Sequence, residues 1–160
     1  MLIDNCGYVK ETPSNGTGLF ASQFIPKGKI IARVSNDERF CKKKDINNFS
    51  VDLQKDLMVY AYSDKDGYIY YPKDNNKYMN HSCNPNVLDF GDGVEVAIKN
   101  IEINEEITCD YRQFYDSDWC ANFKCNCNSL NCCGIMKYDL SVTDDVLKFW
   151  TNIFMSISPV

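Results

Sequence analysis

The chain has 160 residues, 44% apolar and 24% charged, with a formal net charge of -5. That length and apolar content fit one domain with a core of its own, at most with a small appendage. The acidic balance argues against direct nucleic-acid binding, which needs clustered Lys and Arg, and suits a basic partner. No run approaches the roughly 20 apolar residues of a membrane span.

The predicted elements, in chain order, are mostly short strands. Gly7–Glu11 reads as a first strand, Pro13–Gly18 as a glycine-bearing loop, and Leu19–Ala21 as a resumed apolar strand. Ile25–Lys29 is a turn and Ile30–Val34 a strand, followed by a charged loop or edge over Ser35–Lys44. One amphipathic helix is predicted over Asp45–Asp56. Leu57–Tyr62 and Tyr68–Tyr71 are predicted as strands joined by the turn Asp64–Gly67. Asn75–Tyr78 reads as a helical turn delivering Asn80 and His81. Val87–Phe90 and Val94–Ile98 flank a glycine hairpin, and Ile107–Tyr111 is a short strand. After a looped cysteine segment, Val142–Ser156 is predicted as a helix. Thr143 is taken as its cap, with Asp144 and Asp145 in its first turn.

Nine cysteines are many for this length, and an odd number excludes complete pairing within one chain. The start Met1–Gly7 lacks a basic segment and an apolar core. The expectation is an intracellular protein of a reducing compartment, cytoplasm or a host nucleus, whose cysteines partly bind metal.

Four segments carry the chemistry. They are Asn15-Gly16-Thr17-Gly18-Leu19-Phe20-Ala21; Asn80-His81-Ser82-Cys83-Asn84-Pro85-Asn86; Glu106-Ile107-Thr108-Cys109-Asp110-Tyr111; and Cys125-x-Cys127-x4-Cys132-x-Gly134. In this order they resemble the SET-domain family of protein-lysine methyltransferases with its post-SET zinc segment. The resemblance spans roughly residues 8 to 134. A Gly-x-Gly alone carries little; all four in series make chance a poor explanation.

The resemblance implies a mainly β, β-clip-like SET arrangement with a knot-like active site, a zinc-bound post-SET flap and a C-terminal helix. The corresponding division is 1–117 for the SET domain, 118–135 for the post-SET segment and 136–160 for a helical tail. It implies transfer of methyl groups from S-adenosylmethionine to lysine amines of a basic protein or peptide, a histone tail being one candidate. Such a transfer is an in-line displacement that needs an aligned, neutral amine. A free lysine is almost fully protonated near pH 7 and must first lose a proton.

By the same resemblance Tyr111 is the catalytic tyrosine, its hydroxyl near the transferred methyl. Asn15, Gly16, Thr17, Gly18, Asn80, His81 and Tyr111 contact the cofactor. Cys109 stands where the family has Phe or Tyr, which implies room for di- or trimethylation. Cys125, Cys127 and Cys132 leave a tetrahedral zinc one ligand short, Cys133 being the alternative to Cys132 as third ligand; the family closes the site with the cysteine here numbered Cys83. Cys133 also stands where the family has Arg.

Asp110 is read as holding a turn, and Glu106 as structural or surface. Tyr60, Tyr62, Tyr70, Tyr71, Tyr78 and Tyr115 are candidates for an aromatic lysine channel. With no pre-SET cluster, the N-terminal edge is expected to lean on the C-terminal helix or on a second copy, so an oligomer is allowed. A catalytically silent SET-like module that binds basic peptides is the alternative.

Overall fold

The computed structural model describes residues 1–12, 16–35, 37–90, 93–114, 122–137 and 139–156. Strands β1 (Gly7–Thr12) and β2 (Gly16–Ala21) form an antiparallel pair running from Gly7 opposite Ala21 to Thr12 opposite Gly16. β3 (Ile30–Arg33) follows a tight turn at Pro26–Gly28, where Gly28 takes φ +86°. β4 (Arg39–Lys42) lies within the charged stretch expected to be a loop or edge, and it pairs at the side of a small sheet.

The helical region departs from expectation. In place of one helix over 45–56 there is a 3-10 turn at Lys43–Asn48 and a helix α1 at Val51–Tyr60. Ser50 restarts the helix, its side chain accepting from the Leu53 N–H at 3.4 Å. Leu57–Tyr60 is therefore helical and not strand. Its local β preference yields to the burial of Leu57, which is fully enclosed. The strand resumes only as β5 (Tyr62–Ser63), which pairs with β6 (Tyr68–Tyr70) across the expected turn.

A 3-10 turn at Asn75–Tyr78, capped by Asp74, leads into β7 (Asn80–His81), as the sequence suggested. β8 (Val87–Asp89) and β9 (Val94–Ala97) form the expected hairpin. β10 is shorter than predicted, only Thr108–Cys109, because Asp110 caps a 3-10 turn that takes up Tyr111–Gln113. The main sheet has the order β3-β9-β8-β10-β7. β10 thus runs parallel between β7 and β8, two strands consecutive in the chain. This insertion is the knot-like feature of a SET arrangement, and the mainly β expectation holds.

The main core packs Leu19, Ile31, Val87, Ile101 and Ile107, all fully enclosed, under β1–β3 and the main sheet. Each such side chain contributes about 1.5–3 kcal/mol of burial. β11 (Phe123–Lys124) and β12 (Ile135–Met136) pair around the cysteine segment, where Met136 packs on Cys83 and Cys125. The last helix, α2, runs Leu140–Ser156.

Two expectations about α2 are corrected. Thr143 does not cap it: it lies inside the helix, 1% exposed, with its hydroxyl donating to the Asp139 carbonyl at 3.4 Å. Asp144 and Asp145 accordingly fall beyond the first turn. The reason is that the helix starts at Leu140, a full turn earlier than the polar Thr-Asp-Asp run suggests. α2 covers Leu88 and Ile98 through Val146, Leu147, Trp150, Ile153 and Phe154. The N-terminal edge leans mainly elsewhere. The Leu2 N–H donates to Asp74 Oδ2 at 2.6 Å and Leu2 bridges Ala32, which ties the edge to β3 and the loop before the Asn75 turn.

Candidate active site

The site is organised where β10 threads between β7 and β8. Asn86 stitches the crossing together: its Nδ2 donates to the Glu106 carbonyl at 2.8 Å and its Oδ1 accepts from the Thr108 N–H at 2.9 Å. The Ser82 N–H donates to the Cys109 carbonyl at 2.9 Å. An Asn at this position satisfies backbone groups on both sides of the thread.

The Tyr111 hydroxyl donates to the Met79 carbonyl at 2.7 Å, one residue before Asn80. The Tyr111 N–H donates to His81 Nδ1 at 3.1 Å. Burial pulls His81 down to about 4 against the opposing pull of Asp110, so the ring is neutral near pH 7. With Nδ1 accepting, its proton sits on Nε2, 3.3 Å from Cys83 Sγ.

Asp110 is fully enclosed. Its carboxylate takes Arg112 Nε at 2.9 Å and Nη2 at 2.5 Å, and the Trp150 indole N–H at 3.1 Å. The hydrogen bond to Asp110 raises the Arg112 guanidinium above its ordinary range, so that charge is permanent. The turn-holding role expected of Asp110 matches these contacts, with the helix α2 as an added partner.

Asn80 joins the first glycine segment to this centre. Its Nδ2 donates to the Thr17 carbonyl at 3.2 Å and to Glu106 Oε1 at 2.8 Å. A Cβ on Gly18 would lie 2.6 Å from that Glu106 oxygen and 3.1 Å from Asn80 Nδ2. A side chain at Gly18 would thus have to displace the Glu106 carboxylate from Asn80. Gly16 takes φ +70° in open space, so its requirement is conformational. Gly16, Thr17, Gly18, Asn80, His81 and Tyr111 are thus linked by β2, β7 and the turn after β10. Asn15 lies outside the described residues, as do Tyr115 and Cys120.

A narrow cleft of about 60 Å3 opens beside Tyr111, lined among others by Tyr60, Tyr62, Met79, Cys109 and Phe114. Tyr60 and Tyr62 of the channel candidates line it. Tyr78 stands behind Tyr60, ring centroids 5.6 Å apart; Tyr70 stacks on Tyr62; and Tyr71 bonds through its hydroxyl to Asp56. Cys109 is 5% exposed, and burial drives its thiol well above the ordinary range, so it faces the cleft uncharged.

Cys83, Cys125, Cys127 and Cys132 bring four sulfur atoms within 4.8 Å of one another. Cys83 and Cys125 are 3.8 Å apart, the ~3.8 Å edge of a tetrahedron with zinc–sulfur bonds of about 2.3 Å. Backbone N–H groups of Cys133, Cys83 and Gly134 donate to the sulfurs of Cys83, Cys127 and Cys132. Such donors favour thiolates. Burial lifts the Cys83 thiol strongly and Cys125 to about 12. At Cys127 burial is outweighed by donors from Ser129 and Cys83, and the thiol falls to about 6. Without a cation this set cannot ionise together near pH 7, and a divalent ion supplies what it lacks. The donors fit zinc. His81, Cys83, Cys125 and Cys133 form an overlapping set of the same compactness.

The SET-domain family profile matches residues 16–112, and the chain belongs to that family of protein-lysine methyltransferases, whose methyl donor is S-adenosylmethionine. Over 146 residues, 83% of the chain, it is 30% identical to histone-lysine N-methyltransferase ASHR3 of Arabidopsis thaliana. It spans 26% of that protein's length, about a quarter. Among solved structures it resembles KRYPTONITE in complex with mCHG DNA and SAH, with a TM-score of 0.52 and 19% identity, covering 79% of this chain and 28% of that one. At that identity the likeness speaks for the fold. The cysteine cluster after the SET region is consistent with a post-SET zinc site.

The sequence does not single out two participants: Trp150 reaches Asp110 from α2, and Glu95 lines the cleft. Glu106, read as structural or surface, holds Asn80. Glu106 opens the third motif of the sequence, and Glu95 shows there as a lone charge inside the strand Val94–Ala97.

Proposed function

We propose that this chain transfers methyl groups from S-adenosylmethionine to the side-chain amine of lysine in a basic protein substrate. The observation that carries this reading is the Tyr111 hydroxyl, hydrogen-bonded to the Met79 carbonyl at the wall of an aromatic cleft, with Asn80 next to Met79 and bonded to Glu106 and the Thr17 carbonyl. A phenol and a carbonyl so placed can orient an amine and a methyl group together. Gly16, Thr17, Gly18, Asn80 and His81, with Asn15 by its motif, are the groups we assign to the methyl donor. Tyr111 is assigned to catalysis and Cys109 to the number of methyl groups admitted. Membership of the SET family and the SAH bound by KRYPTONITE support the choice of donor.

Zinc is assigned to Cys83, Cys125, Cys127 and Cys132. There it would supply structural cross-linking between the loop after β7 and the β11–β12 segment. A histone is one candidate substrate, supported by the relationship to a histone-lysine methyltransferase and by the net charge of -5. The described helices include none long and apolar enough to cross a membrane.

The test is incubation of the zinc-loaded chain with radiolabelled S-adenosylmethionine and a panel of basic proteins, with Tyr111→Phe as control. Label on lysine that depends on Tyr111 is the expected result. No label on any protein, with no affinity for the donor, would remove the reading.

A further inference from the structure

The cleft beside Tyr111 carries a carboxyl group that the reaction as described above does not use. Glu95 on β9 is 6% exposed and lines this cleft together with Asn76, Tyr62, Cys109, Tyr111 and Phe114. The sheet register places it there. Glu95 opposes Asp89 on β8, and Val87, two residues before Asp89, opposes Cys109 on β10. Alternation along β8 puts Glu95 and Cys109 on one face of the sheet.

Both Glu95 carboxyl oxygens accept from Asn76 Nδ2, at 3.1 and 3.0 Å. The Asn76 Oδ1 is buried and, among the described residues, has no hydrogen-bond partner. A cleft wall with a buried carboxyl and an orphaned carbonyl oxygen is short of donors and of positive charge. An alkylammonium brings one charge and up to three N–H donors, and its methylene stem suits walls of Tyr and Phe.

We propose that Glu95, with Asn76 beside it, receives the ammonium of the incoming lysine side chain and accepts a proton from it. The proposal rests on the methyltransferase reading for the identity of the amine. In the step an N–H bond breaks, its electron pair stays on nitrogen, and an O–H bond forms on Glu95. An ammonium and a carboxylate become an amine and a carboxylic acid, with no change in net charge. A water-poor cleft favours the neutral pair. The freed lone pair is what displacement at a sulfonium methyl needs, and the proton leaves to solvent once the product departs.

The surroundings tune Glu95 for this. Burial first, and the Asp89 carboxylate second, push it up to about 8, with Glu38 adding to the rise. The Asn76 hydrogen bond and the N-terminal ammonium of Met1 pull the other way. Tyr62 and Cys109 also face it, and burial first and its charge second hold both protonated. Lys77, the cation on the rim, is turned to the rings of Tyr60 and Tyr78 at 5.1 and 5.2 Å.

Two measurements test the assignment. In the zinc-loaded chain with 13C-labelled glutamate carboxyls, the Glu95 signal (identified by its loss in Glu95→Gln) is followed through pH. Addition of n-butylammonium chloride should shift the signal and raise its titration midpoint above about 8, because the bound amine's proton stays on Glu95, whereas n-butanol should not. No response to n-butylammonium overturns the proposal. In the methyl-transfer assay, wild-type kcat/KM should rise to about pH 8 and level off, since lysine stays protonated to about 10.4. Glu95→Gln should be about 100-fold slower near neutrality and keep rising towards pH 10. A variant matching wild type in rate and profile also overturns it. A Glu95 signal that answers n-butylammonium in a chain transferring no methyl group would keep the cation site and remove the reaction.

Discussion

At the scale of single residues, the site rests on short polar contacts whose loss has a foreseeable direction. Tyr111→Phe removes one hydroxyl at the Met79 carbonyl and leaves the ring. Its transfer rate should fall about 100-fold with little change in thermal unfolding, which a radiolabel assay beside a melt will check. Gly18→Ala sets a methyl 2.6 Å from Glu106 Oε1 and pushes that carboxylate off Asn80. A loss of about 1–2 kcal/mol should appear as roughly tenfold weaker S-adenosylhomocysteine binding by calorimetry. Cys109→Tyr narrows the cleft at a position now 5% exposed, and mass spectrometry of the products should shift toward monomethyl-lysine. An unchanged product distribution would leave Cys109 without a role in product choice. Glu95 also links pH to stability. Its ordinary value of 4.5 is raised to about 8, so between those pH values the folded chain keeps a proton that the unfolded chain has lost. Its contribution is complete below 4.5 and fades as pH rises to about 8. Relative to wild type, Glu95→Gln should therefore be more stable at pH 8 than at pH 5, by on the order of a few kcal/mol in urea melts.

At the scale of elements, the C-terminal helix and the threaded strand support each other. α2 sends Trp150 to Asp110, and Asp110 starts the turn that presents Tyr111. Trp150→Phe keeps most of the packing on Leu88 and Ile98 but removes the indole N–H. A hydrogen bond to a charged group contributes about 1.5–3 kcal/mol, so the midpoint of chemical unfolding should fall accordingly and the transfer rate should drop with it. Local signals placed many elements well: the turn at Asp64–Gly67, the Asn75–Tyr78 helical turn and the β8–β9 hairpin all follow from their own residues. They misplaced Leu57–Tyr60, where aromatic and β-branched side chains speak for strand. The Ser50 cap and the burial of Leu57 decide for helix. Thr143 shows the same limit from the other side, a good capping residue drawn into a helix interior because the helix begins earlier.

At the scale of the whole molecule, the cysteine cluster brings the segment after the SET region against the loop following β7. Three of its four sulfurs come from 125–132 and the fourth, Cys83, from the active-site loop. The purified chain should hold one zinc ion, measurable by elemental analysis. Chelation or Cys125→Ser should lower the melting temperature by roughly 10 °C, corresponding to about 3–4 kcal/mol at this size, and abolish transfer. Zinc retained in full by Cys125→Ser would shift the site to another donor set.

The sequence by itself determined the family, the mainly β arrangement, the glycine, Asn-His and Asp-Tyr segments, and the cysteine run 125–132. These are contiguous motifs in which backbone geometry and side-chain chemistry are dictated within a few residues. Only the tertiary structure decided that Glu106 holds Asn80, that Trp150 braces Asp110 and that Glu95 faces the cleft. Those contacts join residues 26 and 40 positions apart, or depend on a register across three strands. A buried carboxylate acquires its meaning from the sheet that desolvates it and the groups folded against it, which no local pattern in the chain records.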